Sequence, residues 1–180
     1  TRWKHPQFLT LDYITAESDI RIDLNVLSKL SLPDGLLKGV YSSHNIEHLK
    51  ESVGTYWLKE SHRILKKGGV LRITAPDVPG LLRAYDEKDA SVFAWVRRST
   101  IYSYDCWLRL IVRMVAEPVV HRFSDEQLHE MYRNMSHEEF LDFLSVQVEL
   151  VENHAFLNPG AHKTWWGAEK MIRVLKEIGF

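Results

Sequence analysis

Cysteine is nearly absent. Cys106 stands alone among 180 residues, so no intramolecular disulfide can form, and a reducing, cytoplasmic setting is the simplest expectation. Net charge is nearly absent too. The formal value of −1 removes any global pull toward polyanions, so a nucleic-acid partner is not expected, although a local basic patch stays open. Apolar runs long enough for a membrane span are missing. Arg2 and Lys4 give the chain a charged start, but no apolar stretch follows to make a signal peptide. Neither internal repeats nor low-complexity tracts occur. The chain begins on Thr1 rather than methionine and stops on Phe180, and both ends read as cut.

What is present is globular. Hydrophobic residues make up 45% and charged residues 26%, and this length supports one domain with its own core. Phe8–Asp12 is short, apolar and β-prone, and Asp19–Asp23 alternates like a strand with one buried face. Leu32-Pro33-Asp34-Gly35 is a turn by composition, after which Gly39–Ser43 reads as a short buried strand running into a helix. That helix is expected from Asn45 to Lys66. Ile46, Leu49, Val53, Trp57, Ile64 and Leu65 face inward, and Lys50, Glu51, Lys59 and Glu60 face outward. Gly54 weakens its middle, so two helical pieces are possible; Lys66-Lys67 suit its C-terminal dipole, and Gly68-Gly69 stop it. Val70–Ala75 is the clearest strand.

Strand, helix and strand within so short a span predict a parallel crossover. The second half is helical in pattern. Ser91–Ala116 and Trp165–Ile178 have helical spacing, with Met171, Val174, Leu175 and Ile178 on one face of the latter and Gly179 as its cap. Ser124–Gln127 and Ser136–Glu139 carry capping-box spacing. The expectation is a single domain over 1–180: an α/β core at 7–85, a helical insertion at 86–161, and a final core helix at 162–180. The predicted fold is α/β, a Rossmann-like, mostly parallel sheet with the helical insertion after the last clear strand.

In an open parallel sheet, ligands bind outside the carboxyl ends of the strands. Those ends carry Asp12-Tyr13, Asp23-Leu24, Ser42-Ser43-His44 and Pro76-Asp77. Asp12 stands where a carboxylate accepts from ribose hydroxyls, and Asp23 is suited to an adenine amino group. Each aspartate alone is better explained by loop or helix capping. As a set ending consecutive strands, they favour a ligand.

Val40-Tyr41-Ser42-Ser43-His44-Asn45-Ile46-Glu47-His48-Leu49, the run Leu58–Ile73 with Arg63-Ile64-Leu65-Lys66-Lys67-Gly68-Gly69 inside it, and Pro76-Asp77 together resemble the later core motifs of class I S-adenosylmethionine-dependent methyltransferases. The likeness is strongest to a small bacterial branch of that family. Trp165-Trp166 and Glu177–Phe180 resemble its final helix, whereas 86–161 resembles nothing recognisable. The resemblance implies S-adenosylmethionine as cofactor, with Asp12 and the adjacent Tyr13 at its ribose. It also implies that Asp23 and Leu24 flank the adenine, and that Ser42, Ser43 and His44 lie against the methionine part. It implies methyl transfer to a small-molecule or glycan-type acceptor, with His44, Asp77 and His162 as candidates for the base. The family's first strand and Gly-x-Gly loop belong immediately before Thr1, and they and its last strands are expected but not found in the chain.

Two other readings remain open at this stage. A degenerate methyltransferase domain could serve as a non-catalytic dimerisation or binding module. His44-x-x-Glu47-His48 is also a literal H-x-x-E-H, which on a helix would put two histidines on one face for zinc, with Glu47 as base. Glu47-His48 can equally serve capping and packing, and no metal is expected on the methyltransferase reading. His121, His129, His137 and His154 show no ligand-like spacing. Trp95, Tyr102, Tyr104, Trp107 and Met114 suit core, an acceptor-binding surface or a homodimer face. Lys66-Lys67 and Arg97-Arg98 read as solvated charge.

Overall fold

The computed structural model describes residues 7–12, 18–93, 104–151 and 160–180, without the side chains of 104 and 105. The chain is mixed α/β, with short parallel strands in two small sheets. Strand β1 (Leu11–Asp12) pairs with β2 (Ile20–Arg21), and β3 (Leu37–Ser43) pairs with β4 (Leu65–Thr74). Helix α1 (Glu51–Ile64) makes the crossover from β3 to β4. Then follow α2 (Val78–Asp86), α3 (Tyr104–Ala116), a 3-10 turn at Glu117–Arg122, α4 (Asp125–Asn134), α5 (His137–Glu149) and α6 (Ala168–Ile178). Among the described residues no helix is long and apolar enough to cross a membrane.

The helix expected over 45–66 is shorter and divided, but not at Gly54. A 3-10 turn covers Ile46–His48, Leu49 turns extended, and α1 runs unbroken through Gly54. Gly54 is explained by packing. A Cβ there would stand 3.1 Å from Trp166 Cζ2 and 3.3 Å from Ile46 Cγ1. Lys66-Lys67-Gly68-Gly69 neither ends nor stops the helix. It lies within β4, where the register with β3 slips between Leu37 and Gly39, and Gly68 takes φ 73°. Arg63 instead supplies positive charge in the last turn of α1.

Helix α1 lies between two apolar clusters. One joins Val53, Trp57 and Ile64 to Leu30 and Leu49, with Ile22, Leu24 and Val40 against them. The other joins Ile46, Leu58 and Trp166 to Leu71 and Ile73 of β4 and to Met171, Val174, Leu175 and Ile178 of α6. The apolar stripe expected on the final helix therefore packs as the periodicity implied, and Gly179 caps it at φ 110°. Strand β3 is not fully buried as expected. Val40 and Ser42 are half-buried while Tyr41 is 61% exposed, with the Arg72 guanidinium over its ring. Among the described residues, helices cover only one face of this strand pair.

A third core unites α2, α3, α4 and α5 around Leu82, Leu108, Ile111, Val112, Leu128, Phe140 and Leu144, and Trp165 joins it. Both expected capping boxes are formed, at Ser124 with Gln127 and at Ser136 with Glu139. Trp107 and Met114 pack against this core, whereas Trp95, Tyr102, Arg97, Arg98 and His154 lie outside the described residues. Two residues expected on the outer side of α1 are buried. Glu60 joins Arg63, and Lys50 donates to the carbonyls of Glu149 and Val151 at 3.0 and 2.9 Å, closing the C-terminal end of α5.

Candidate functional site

Strands β3 and β4 end side by side, with Ser43 opposite Thr74 and their hydroxyl oxygens 2.7 Å apart. The chain leaves β3 through His44, whose amide donates to the Thr74 carbonyl at 3.0 Å. His44 has φ 48°, a left-handed conformation that costs a non-glycine residue about 1–2 kcal/mol. Its side chain is tied locally, with Nδ1 3.2 Å from Glu47 Oε1. The imidazole is 66% exposed and the carboxylate only 2%. This pair thus joins solvent to the interior.

The 3-10 turn carries Glu47 inward, where the segment before α6 meets it. The amides of Lys163 and Thr164 both donate to the Glu47 carbonyl, at 2.7 and 3.4 Å. That pairing brings His162 onto His48, with ring centroids 4.7 Å apart in an edge-to-face arrangement. One ligand-type atom from each of Glu47, His48 and His162 lies within 4.8 Å of the others. His48 Nδ1 is 3.3 Å from the Ala161 carbonyl, and His162 Nδ1 is 3.1 Å from that of Met114. A carbonyl oxygen only accepts, so each Nδ1 is the donor; in the neutral tautomer that bond selects, the lone pair lies on Nε2. Glu47 Oε2 is buried without a hydrogen-bond partner, a condition shared among the described side chains only by Trp166 Nε1.

Lys163 is buried beside this group, and its Nζ donates to the His48 carbonyl at 2.7 Å. Burial pushes its ammonium below the usual lysine range; the Asp23 carboxylate opposes that shift and Lys50 adds to it. Asp23 is therefore within electrostatic reach of Lys163. Its Oδ1 accepts from the Asn25 amide and side chain, both at 2.9 Å, and the Leu24 carbonyl accepts from Trp57 Nε1 at 2.6 Å.

No family model, curated protein or solved structure matches this chain.

Of the residues singled out in the sequence, the fold brings His44 and His162 to one neighbourhood through Glu47, with Ser43 at the head of the turn, and leaves Asp23 within electrostatic reach of the adjacent Lys163. Ser42 is half-buried in the ladder opposite Ile73. Asp12 lies at the end of β1, and its carbonyl accepts from the Ile22 amide at 3.2 Å. Tyr13 lies outside the described residues. Asp77 is occupied as the N-cap of α2: Oδ1 accepts from the Gly80 amide at 3.0 Å, and Arg83 stands 3.6 Å from Oδ2.

The H-x-x-E-H pattern does not form a helical histidine pair. His44 precedes the 3-10 turn with a left-handed backbone, and the cluster takes His162 in its place. Lys50 and Lys163 were not legible as interior groups, because nothing in their spacing sets them apart from surface lysines. An open groove on α6, lined by Glu169, Ile172, Arg173, Lys176 and Glu177, shares no residue with this site and has no comparable chemistry.

Proposed function

We propose that the chain is a Rossmann-like methyltransferase domain, cytoplasmic, transferring a methyl group from S-adenosylmethionine to a small-molecule or glycan-type acceptor. The observation that carries this reading is the parallel β3–α1–β4 crossover. Its carboxyl end gathers Ser43, His44 and the Glu47 turn, and it is built from the segments whose motifs resemble the family.

The residues fit such a cofactor in kind. Hydroxyl, imidazole and carboxylate groups at the strand ends supply the donors and acceptors that ribose, adenine and amino-acid moieties need. On this reading Asp12 and Asp23 with Leu24 hold the nucleoside, and Ser42, Ser43 and His44 hold the amino-acid end. When bound, the cofactor supplies an activated methyl group on a sulfonium, whose C–S electron pair returns to sulfur as the acceptor's new bond to carbon forms. The chain's own work is alignment and proton removal. His44 is the candidate of the three that suits proton removal best. It is exposed to an incoming acceptor, and the buried Glu47 carboxylate, 3.2 Å from its Nδ1, fixes how the ring is presented. Asp77 is engaged as a cap, and His162 is turned to the Met114 carbonyl.

Titration calorimetry of the whole chain with S-adenosylhomocysteine tests the proposal. Micromolar affinity, weakened by His44→Ala and Asp23→Ala, is the expected result. Absence of heat at millimolar ligand would remove the methyltransferase reading for this chain.

A further inference from the structure

We propose that Glu47, His48 and His162 form a binding site for a divalent transition cation of the zinc class. The proposal stands apart from methyl transfer: its ligand set needs neither the cofactor nor His44, although Glu47 also holds the His44 ring in that reading.

Three observations carry it. The three side chains bring ligand atoms within 4.8 Å of one another, a spacing that a small shift closes around one ion. Both histidines have Nδ1 directed at a backbone carbonyl, Ala161 for one and Met114 for the other. This is the outer-shell arrangement that fixes the tautomer and leaves Nε2 free to coordinate. Glu47 adds an interior carboxylate at 2% exposure whose Oε2 has no hydrogen-bond partner. A buried carboxylate oxygen without any donor is costly, and a cation removes that cost. The other oxygen, Oε1, is steadied by His44.

Two imidazoles and one carboxylate are a borderline donor set. They suit Zn²⁺ and its neighbours better than Mg²⁺ or Ca²⁺, which prefer oxygen ligands alone. Three protein ligands leave a fourth position for water or an acceptor oxygen. The carboxylate offsets one of the ion's two charges. The buried Lys163 is turned to the backbone, donating from Nζ to the His48 carbonyl. The ligands come from segments far apart in sequence, so the ion would fasten the segment before α6 to the turn after β3. The spacing of H-x-x-E-H could not reveal this, because the third ligand is His162 and not His44.

The test uses the purified full chain, stripped with chelator, incubated with zinc chloride and freed of loose metal by gel filtration. Elemental analysis is expected to find one zinc per chain in the wild type and in His44→Ala. Glu47→Gln, His48→Ala and His162→Ala are expected to weaken zinc affinity by at least ~10-fold. Circular dichroism of each stripped variant separates lost ligation from lost folding. Cobalt substitution adds a positive readout: His162→Cys should bring a thiolate-to-cobalt absorption band absent from the wild type. Three results would overturn the assignment: a wild type that retains no metal, equal retention by all variants, or loss in His44→Ala with retention in His162→Ala. The last would restore the H-x-x-E-H pairing instead.

Discussion

Lys163 holds the turn after β3 twice, its amide donating to the Glu47 carbonyl and its Nζ to the His48 carbonyl, each at 2.7 Å. These bonds join residues more than a hundred positions apart and set where Glu47, His48 and His162 meet. Lys163→Ala would leave the His48 carbonyl without its donor and empty the volume of a buried side chain. The expected loss is about 2–4 kcal/mol, from the cavity and the orphaned acceptor together. Urea denaturation measures it. A midpoint equal to wild type would show that the ammonium does not hold the turn.

A second interior charge governs acid stability. Arg63 donates to Glu60 and Asp34 and to the carbonyls of Leu30 and Leu32, so it organises the loop ahead of β3. The Arg63 guanidinium holds the Glu60 carboxyl below its usual range, against the opposing effect of burial. A carboxyl depressed in the folded state gives stability that is full above the unfolded value near 4.5 and is lost as pH falls through the lower folded value. Glu60→Gln should therefore cost about 3 kcal/mol near neutral pH, with the gap to wild type narrowing below pH 4.5. Thermal melts from neutral to acidic pH read both halves. Parallel curves would mean the pair contributes no pH-dependent stability.

How much of this was legible beforehand divides by range of interaction. Local chemistry could be read well: the capping boxes at Ser124 and Ser136, the Gly179 cap, the apolar face of α6 and the α1 crossover all follow from neighbours in sequence. Long-range burial could not. Lys50, Glu60 and Lys163 carry charges that local pattern assigns to solvent, yet each finds an interior acceptor or donor from a distant segment. The 3-10 turn at Ile46–His48 continues the helical spacing of α1 so closely that periodicity alone cannot separate them. His162 joined Glu47 and His48 only through the Lys163 and Thr164 amides, a backbone pairing that no side-chain motif announces.

Gly54 shows the same limit from the other side. Its place in mid-helix suggested a weak point, whereas the structure explains it as room for Trp166. Gly54→Val should push the indole and Ile46 aside and cost about 1–3 kcal/mol through overpacking. The displaced segment carries His162 and Lys163, so zinc retention should fall along with thermal stability. A variant as stable as wild type would show that the Trp166 contact yields easily.

Asp77 offers a decision between two roles that one position can play. As the N-cap of α2 it needs only an oxygen facing the Gly80 amide, which asparagine also provides. As a proton acceptor it needs the charge. Asp77→Ala should therefore lose about 1 kcal/mol of stability while Asp77→Asn loses little. The glycine at 80 lets the carboxylate lie against this turn, since a Cβ there would stand 2.3 Å from Asp77 Oδ2. If the methyltransferase proposal holds and Asp77 is a cap alone, both variants should match wild type in S-adenosylhomocysteine affinity and in turnover. If Asp77→Asn retains its melting temperature but loses turnover, the carboxylate is acting on the acceptor, and the assignment of proton removal to His44 gives way to Asp77.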